Sequence, residues 1–190
     1  MKNIAIFASG EGTNAQRIID YFKSSDHIKI ALIVSNKPTA NVLNRAKKEN
    51  IPTRVISRAD FYESDTTIKA LQATHIDFIV LAGFLWMIPK NLIQAFPNKM
   101  VNIHPALLPK FGGKGMYGMH VHTAVVNAGE TETGISIHYI NEQYDEGEII
   151  AQHRCTISKE DTPETVAAKI HELEYEFFPK AIEKIITGIS

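Results

Sequence analysis

Asn102 and His104 are the residues of this sequence best suited to act together in chemistry. They lie two positions apart in the short apolar run Met100–Pro105, which is typical of a β-strand. Side chains two positions apart share one face of a strand. The amide can stabilise a developing oxyanion, and the imidazole can move a proton near neutral pH. The pair predicts chemistry at a carbonyl carbon, although the same residues could instead satisfy backbone groups at a strand end.

A glycine-rich loop, Ser9–Gln16, follows the first apolar run of the chain. Glycines let backbone N–H groups approach an anion, and a helix that begins there adds the positive end of its dipole. We therefore predict that Gly12, Thr13 and Asn14 bind a phosphate monoester. Thr13 and Gln16 also fit a capping box, so a capped turn that binds no ligand is the alternative.

The same loop fits the dinucleotide fingerprint, as Gly10-x-Gly12-x-x-Ala15. That fingerprint requires an acidic residue at the end of the second strand, where it holds a ribose hydroxyl. The second apolar run ends in Val34–Lys37, which contains no acidic residue. We therefore expect no NAD site.

Three histidines, His120, His122 and His138, make a zinc site conceivable. The spacings His-x-x-x-His and His-x-x-Glu-His are absent from the sequence. The single cysteine, Cys155, can form neither an internal disulfide nor a thiolate cluster. We therefore expect no catalytic metal.

Short β-branched runs alternate with segments of helical periodicity through the first half of the chain. The predicted strands are Lys2–Ala8, Ile28–Ser35, Thr53–Ile56, Phe78–Ala82 and Met100–Ile103. The predicted helices between them are Ala15–Ser24, Ala40–Glu49, Ile68–Thr74 and Pro89–Ala95. This alternation predicts an α/β fold with a doubly wound, mostly parallel open sheet of the Rossmann-like type. In such sheets the carboxyl ends of the strands face the ligand crevice, which is where Asn102 and His104 would lie.

The pattern changes after Pro109. Phe111–Met119 is rich in glycine and is predicted to be a mobile loop before a helix at His120–Ala128. Gly134–Ile140 and Glu148–Thr156 are predicted to form an antiparallel strand pair. A final long helix is predicted to begin with Thr162 as its N-cap and Pro163 at its first position.

Composition limits the class of protein. The chain has 190 residues, of which 44% are hydrophobic, as expected for one globular domain over residues 1–190. Twenty Lys and Arg residues nearly balance 21 Asp and Glu residues, so we expect neither a nucleic acid nor a membrane as partner. The apolar run Ile4–Ala8 is too short for a signal peptide. No apolar run in the sequence approaches the roughly 20 residues that span a bilayer. These features predict a soluble cytoplasmic protein.

A set of motifs in a fixed order carries a family resemblance. The motifs are Ser9-Gly-x-Gly-Thr-Asn14, Leu81-Ala-Gly-Phe84, Asn102-Ile-His-Pro105, Leu107-Leu-Pro109, Thr133-Gly-x-x-x-His138 and Asp145-x-Gly147-x-Ile-Ile150. Together they resemble the folate-dependent formyltransferase family, from Ile4 to about Ala181. Asp145 on its own would be an ordinary turn residue, and it becomes a candidate through this resemblance.

The resemblance implies a reaction. The amine of glycinamide ribonucleotide would attack the formyl group of 10-formyltetrahydrofolate, without a covalent enzyme intermediate, a metal or NAD, in a monomer or homodimer. Asn102 would polarise the formyl oxygen and His104 would serve the tetrahedral intermediate. Asp145 would orient the imidazole and stabilise its charged form, with His138 in a supporting role.

The resemblance also assigns substrate contacts. It places the nucleotide phosphate at Gly12, Thr13 and Asn14 in an N-terminal half, residues 1–100, and the catalytic and folate-binding residues in 101–190. Glu174 would receive the substrate amine, with His171 one turn before it, although a glutamate on a helix usually faces solvent. The folate-contacting residues would be Leu85, Trp86, Met87, Ile88, Asn102, Asn141, Glu142, Gln143, Tyr144 and Asp145. The alternative for Leu85–Ile88 is ordinary core.

Three features depart from the family pattern. Trp86 stands where the family often has an arginine, Ala106 replaces the serine of His-Pro-Ser, and the Gly112–Gly118 loop is longer than usual. The arginine that contacts the folate tail in the family is left unplaced, with Arg58 as a candidate.

Three other functions have to be separated from formyl transfer to the nucleotide. A hydrolase could deformylate 10-formyltetrahydrofolate with the same residues, but such enzymes usually carry an N-terminal regulatory domain. Formylation of methionyl-tRNA would require a C-terminal domain and a basic patch. A non-catalytic nucleotide-binding module would leave the polar strand end unexplained.

Overall fold

A seven-stranded sheet forms the centre of the molecule in the computed structural model, which describes residues 1–188. The strands are β1 (Lys2–Phe7), β2 (Ile28–Ser35), β3 (Thr53–Val55), β4 (Phe78–Leu81), β5 (Met100–His104), β6 (Glu132–Tyr139) and β7 (Ile149–Thr156). Their spatial order is β3-β2-β1-β4-β5-β6-β7. The pairs among β1 to β5 are parallel, and β5-β6 and β6-β7 are antiparallel. The predicted doubly wound, mostly parallel sheet with an antiparallel pair at one end is confirmed.

Six α-helices connect and cover the strands. They are α1 (Thr13–Phe22), α2 (Asn41–Lys48), α3 (Thr66–Ala73), α4 (Lys90–Ala95), α5 (Met119–Asn127) and α6 (Pro163–Thr187). A π-helical turn at Ala59–Glu63 was not predicted, because five residues with one buried side chain, Phe61, show no periodicity. The prediction for the start of α6 is confirmed, since the Thr162 side chain accepts a hydrogen bond from the Thr165 N–H.

Both faces of the sheet are buried. Along β1, Ile4 and Ile6 point into one core cluster with α1, α2 and α6, while Ala5 and Phe7 point into a second cluster with α3 and α4. This double burial explains why the central strands read as continuous apolar runs. The predicted boundary between the two halves of the chain lies at the start of β5, inside the sheet, so a single sheet continues across it.

The antiparallel pairing of β5 with β6 places two polar residues against the predicted catalytic strand. Asn102 lies opposite His138, and His104 lies opposite Ser136. A register shift of one residue would turn all of these side chains to the other face, so the pairing determines which side chains meet.

Ser136 anchors the chain where it leaves β5. Its hydroxyl is fully buried, donates to the Ala106 carbonyl oxygen at 2.7 Å, and accepts from the Leu108 N–H at 2.9 Å. The Gln152 side chain donates both to the Ser136 hydroxyl at 2.8 Å and to the Leu108 carbonyl at 3.0 Å. The direction of the chain after His104 therefore depends on one buried hydroxyl.

Within residues 1–188, no helix combines the length and the apolar character needed to cross a bilayer.

Replacing the Ser136 hydroxyl is expected to destabilise the protein. In Ser136→Ala the buried Leu108 N–H loses its acceptor, so the free energy of unfolding should fall by about 1–3 kcal/mol. Urea denaturation measures the change. Ser24→Ala is the matched control because Ser24 is exposed. Equal unfolding free energies for the two variants would contradict the anchoring role of Ser136.

Candidate active site

A cavity of about 690 Å³ opens at the carboxyl ends of β1, β4 and β5. This is the position of the ligand crevice in open α/β sheets. Its lining includes Gly10, Gly12, Thr13, Asn14, Lys37, Leu85, Asn102, His104, Lys114, His122, Tyr144, Asp145, His171 and Glu174. The structure thus brings the predicted phosphate loop, the three predicted catalytic residues and the predicted amine-end pair around one cavity.

The predicted phosphate loop, Ser9–Gln16, contains a glycine, Gly12, that no other residue could replace without strain. Gly12 is the N-cap of α1 and has a left-handed backbone, with φ of 70°. A Cβ atom there would lie 2.5 Å from Cγ2 of Val42. The predicted capping box is wrong, because Thr13 is already helical and the Gln16 side chain donates to Asp20 instead. The backbone N–H groups of the first turn are left for an acceptor outside the helix.

Glu174 joins α6 to the phosphate loop. One of its oxygens, Oε2, accepts from Nδ2 of Asn14 and from Nδ1 of His171, both at 2.9 Å. The residue is only 5% exposed, so the solvent-facing alternative for Glu174 is wrong. Since Glu174 engages the Asn14 amide, the prediction that Asn14 binds phosphate is restricted to its backbone N–H.

The contact with Glu174 changes the pKa of His171. The hydrogen bond to Glu174 raises the pKa of His171 above its usual range, burial opposes the shift, and the carboxylate charge adds to it. The structure therefore favours an imidazolium that shares the buried carboxylate with Asn14.

His138 orients the Asn102 amide. Nδ1 of His138 lies 2.9 Å from the Tyr139 carbonyl oxygen, which can only accept, so Nδ1 carries the hydrogen. Nε2, on the other side of the ring, then accepts from Nδ2 of Asn102, at 3.1 Å. The second hydrogen on that amide nitrogen remains available to an acceptor in the cavity. The predicted supporting residue His138 thus contacts Asn102.

The loop Phe111–Met119 contacts both His104 and Asp145. Nε2–H of His104 donates to the Phe111 carbonyl oxygen at 2.7 Å, and Oδ2 of Asp145 accepts from the Gly113 N–H at 2.9 Å. Nδ1 of His104 lies 3.6 Å from Oδ2 of Asp145, too far for a direct hydrogen bond. In this conformation the loop holds the imidazole, while Asp145 acts on it through its charge.

Burial decides the charge of His104 but not that of Asp145. Burial lowers the pKa of His104 below its usual range and outweighs the neighbouring Asp145 carboxylate, which raises it. For Asp145, burial acts to raise the pKa, but the neighbouring His138 and His104 rings and the hydrogen bond from the Gly113 N–H together outweigh it, so the pKa is lowered. Nε2 of His138 lies 3.6 Å from Oδ1 of Asp145, beyond hydrogen-bond distance. In the resting site a neutral imidazole therefore faces a carboxylate.

The predicted folate-contacting residues are only partly brought together. Leu85 and Tyr144 line the cavity, as do Asn102 and Asp145. Ile88 is 6% exposed and packs in the second core cluster, which corrects its assignment to a ligand pocket. The core alternative therefore holds for Ile88.

Trp86 and Met87 lie outside the cavity lining. The Trp86 ring packs against Phe61 and Tyr62, and the Arg58 guanidinium lies 5.1 Å from the centre of the Trp86 ring. The Met87 carbonyl accepts from the Tyr62 hydroxyl at 3.0 Å. Arg58, the candidate for the folate tail, is thus occupied by an aromatic cluster.

The connection from Asn141 to Gln143 is exposed and lies beyond the cavity lining. The Asn141 amide donates to the Glu146 carbonyl, its oxygen accepts from the Gln143 N–H, and Glu142 pairs with Lys90. These bonds shape the turn that carries Tyr144 and Asp145 to the cavity.

The three histidines considered for zinc are dispersed. His120 is exposed with its ring edge-on to Tyr117, and both ring nitrogens of His138 have partners. In the described part of the chain, no three potential ligands are placed to share a metal ion. His122 is buried and lines the cavity, a position that the sequence analysis missed. Its signal was the apolar face of α5, formed by Val121 and Val125.

The fold is that of a doubly wound α/β enzyme, and the site places an amide and an imidazole beside a glycine-rich loop at a helix N-terminus. The formyl transferase family model matches residues 2–182. The chain belongs to the formyl transferase family, which confirms the resemblance.

Relatives within the family have similar sequences. The chain is 40% identical over 193 residues to phosphoribosylglycinamide formyltransferase of Haemophilus influenzae, covering 99% of this chain and 89% of the relative. It is 38% identical over 190 residues to the chloroplastic phosphoribosylglycinamide formyltransferase of Arabidopsis thaliana, covering 97% of this chain and 65% of that protein. It spans 14% of the trifunctional purine biosynthetic protein adenosine-3 of Drosophila melanogaster, at 35% identity over 98% of this chain.

Solved structures share the fold over almost the whole chain. Glycinamide ribonucleotide transformylase 1 from Geobacillus kaustophilus superposes with a TM-score of 0.89 at 38% identity, covering 98% of this chain and 99% of that one. Phosphoribosylglycinamide formyltransferase from Bacillus halodurans superposes with a TM-score of 0.88 at 37% identity, covering 98% and 96%. The fold of this chain is therefore that of the formyltransferases.

Removing the charge of Glu174 is expected to change the titration of His171. In Glu174→Gln the pKa of His171 should fall, because the carboxylate that raises it is lost. The raised pKa stabilises the folded protein below about pH 6.5, the pKa of an unfolded histidine, and this contribution disappears as the pH rises through the pKa of the folded state. The stability difference between wild type and variant should therefore be largest at low pH.

Nuclear magnetic resonance titration of the histidine ring protons measures this shift. His153, which stacks on Phe177, is the internal control, and its titration should not move. An unchanged pKa for His171 would show that the contact with Glu174 does not persist in solution.

Proposed function

We propose that this chain transfers the formyl group of 10-formyltetrahydrofolate to the amine of glycinamide ribonucleotide, a step of de novo purine biosynthesis. The observation that carries this proposal is the convergence of a phosphate loop, a buried carboxylate and the Asn102–His104–Asp145 cluster around one cavity. Family membership and relatives named phosphoribosylglycinamide formyltransferase support it.

The nucleotide binds across the cavity from the phosphate loop to α6. Its phosphate accepts hydrogen bonds from the backbone N–H groups at Gly12, Thr13 and Asn14, where the dipole of α1 favours an anion. The exposed Lys37 lines the same wall and adds a positive charge. The amine end reaches Glu174, whose buried carboxylate suits an ammonium group, with His171 beside it.

The formyl group lies between Asn102 and His104. The free N–H of the Asn102 amide donates to the formyl oxygen, which becomes an oxyanion when the amine attacks. The neutral His104 can then take up the proton that the attacking nitrogen loses, and the ionised Asp145 stabilises the imidazolium that forms. The 3.6 Å between His104 and Asp145 leaves the carboxylate free to pass that proton on to the leaving nitrogen of the folate. Holding both substrates in line supplies several kcal/mol of acceleration, on the order of that for intramolecular reactions.

The folate enters from the side of the cavity formed by Leu85 and Tyr144. A second cavity, of about 390 Å³, shares Tyr144 and Asp145 with the first and extends to Leu108 and Ile149. We assign the pterin contacts to Leu85 and to the turn that carries Tyr144 and Asp145. The side chains of Trp86, Met87 and Asn141 to Gln143 lie outside the cavity lining, so these residues can contact the folate only through their backbone groups.

The remaining features of the proposal concern partners and location. The formyl group arrives activated on the folate, and both substrates are small molecules, so the chemistry requires neither metal nor NAD and no nucleic acid. We expect the reaction in the cytoplasm, in a monomer or homodimer.

The purified protein tests the proposed function directly. Given 10-formyltetrahydrofolate, it should release tetrahydrofolate only when glycinamide ribonucleotide is present, as followed by absorbance and by mass spectrometry of the formylated product. Release without the nucleotide would support the hydrolase instead. No release under either condition would support a non-catalytic binding module.

Asp145→Asn should separate catalysis from nucleotide binding. The variant loses the charge that stabilises imidazolium, so kcat should fall by about 100-fold or more, within the range for general acid–base groups. The Kd for glycinamide ribonucleotide, measured by calorimetry, should change by less than about threefold, because a transition-state contact is lost without a ground-state one. Equal losses in kcat and affinity would make Asp145 a structural turn residue.

A further inference from the structure

His122 is a buried histidine in the cavity wall to which the proposed mechanism assigns no role. It lies on α5, is 3% exposed, and lines the cavity that holds Glu174 and His104. Its Nδ1 atom is shielded from solvent, whereas Nε2 keeps accessible surface, and neither nitrogen has a hydrogen-bond partner among residues 1–188. Ring nitrogens of buried histidines are almost always paired, so the accessible, unpaired Nε2 in the cavity wall indicates that a bound ligand is its partner.

The surroundings of His122 indicate which part of the ligand contacts its ring. Three titratable groups act on its ring: Glu174 and His171 from α6, and His104 from β5. Glu174 and His171 form the proposed amine end of the nucleotide site, and His104 faces the formyl group. His122 therefore lines the same cavity as both groups and lies close enough to feel their charges.

The protonation state of His122 suits an acceptor. Burial lowers the pKa of His122 below its usual range, and the opposing effect of the Glu174 charge is smaller. At neutral pH the ring is thus uncharged, and one nitrogen has a free lone pair. The residue can accept a hydrogen bond or a proton, and as a neutral group it does not repel an incoming cation.

The substrate amine brings a requirement that the Asn102–His104–Asp145 cluster does not meet. An α-amino group has a pKa of about 8, so it arrives mainly as ammonium and has no lone pair for attack. Glu174 stabilises that ammonium, which favours binding but opposes deprotonation. A neutral base near the amine would resolve this conflict.

Building on the proposed function, we propose that His122 contacts the substrate amine and accepts the proton that the ammonium must lose before it attacks. The N–H bond of the ammonium breaks, the proton passes to a ring nitrogen of His122, and the amine keeps the electron pair that then forms the bond to the formyl carbon. The second amine proton follows the Asp145 route to the leaving folate nitrogen. His122 returns its proton to water when the product leaves.

Two variants of His122 test the proposal. His122→Leu removes both ring nitrogens but retains an apolar side chain in the helix face. His122→Gln retains a hydrogen-bond acceptor that cannot take up a proton at neutral pH. The matched control is His120→Leu, two residues earlier on the same helix, where the side chain is exposed. Thermal unfolding checks that all three proteins fold.

The measurement is kcat/KM for glycinamide ribonucleotide from about pH 6 to about pH 9, on either side of the amine pKa of about 8. At neutral pH, His122→Leu should lose at least about tenfold, as expected for a positioned proton acceptor. The loss should shrink towards the upper end of the range, because the free amine then forms without help. His122→Gln should retain the Kd for the nucleotide and lose kcat, and His120→Leu should match wild type.

The outcomes distinguish this inference from the proposed function. A wild-type protein that formylates the nucleotide, with a His122→Leu variant that loses nothing or loses equally at every pH, overturns the role of His122 alone. Rates for His122→Gln equal to wild type would reduce His122 to a hydrogen-bonding residue and overturn proton transfer. A wild-type protein that does not formylate the nucleotide overturns both.

Discussion

The pairing of β5 with β6 is the constraint on which the site depends. Its register places His138 against Asn102 and buries Ser136 opposite His104. His138 then determines which way the Asn102 amide points, because its Nδ1–H donates to the Tyr139 carbonyl and leaves Nε2 to accept from the amide. Ser136 determines how the chain leaves His104. The Asn102 amide and the His104 imidazole thus owe their geometry to an antiparallel neighbour rather than to the parallel strands that form most of the sheet.

Long-range contacts explain where sequence reasoning succeeded and where it did not. Alternating apolar runs predicted the sheet and most helices, because burial on both faces leaves a local pattern. The strand period also predicted that Asn102 and His104 share a face. The contact between Asn14 and Glu174 joins residues 160 positions apart, so nothing local could reveal that this glutamate is buried. The missed capping geometry at Gly12 has a similar cause, since Val42 on another helix excludes any side chain there.

The residues around each departure from the family pattern show how the structure accommodates it. Ala106 is fully buried in a small apolar cluster with Val121 and Val125, where the hydroxyl of a serine would need a partner. Trp86 lies in an aromatic cluster that engages Arg58, so the two residues expected to serve folate stabilise each other. The longer glycine loop supplies the Phe111 carbonyl and the Gly113 N–H, which hold His104 and Asp145. In each case the change is accompanied by packing or hydrogen bonds that occupy the altered position.

Burial gives the histidines around the cavity different charges, and this difference matters more than their number. His104 and His122 are deeply buried, and burial lowers the pKa of each, while the hydrogen bond to Glu174 raises the pKa of the half-exposed His171. Two neutral imidazoles therefore stand near one that favours the charged form. The proposed reaction, in which a cationic amine binds, loses a proton and attacks to form an oxyanion, needs acceptors and a cation at separate places. Because a charged imidazole cannot accept a proton, separating these states within one cavity is what allows the same type of side chain to do opposite tasks.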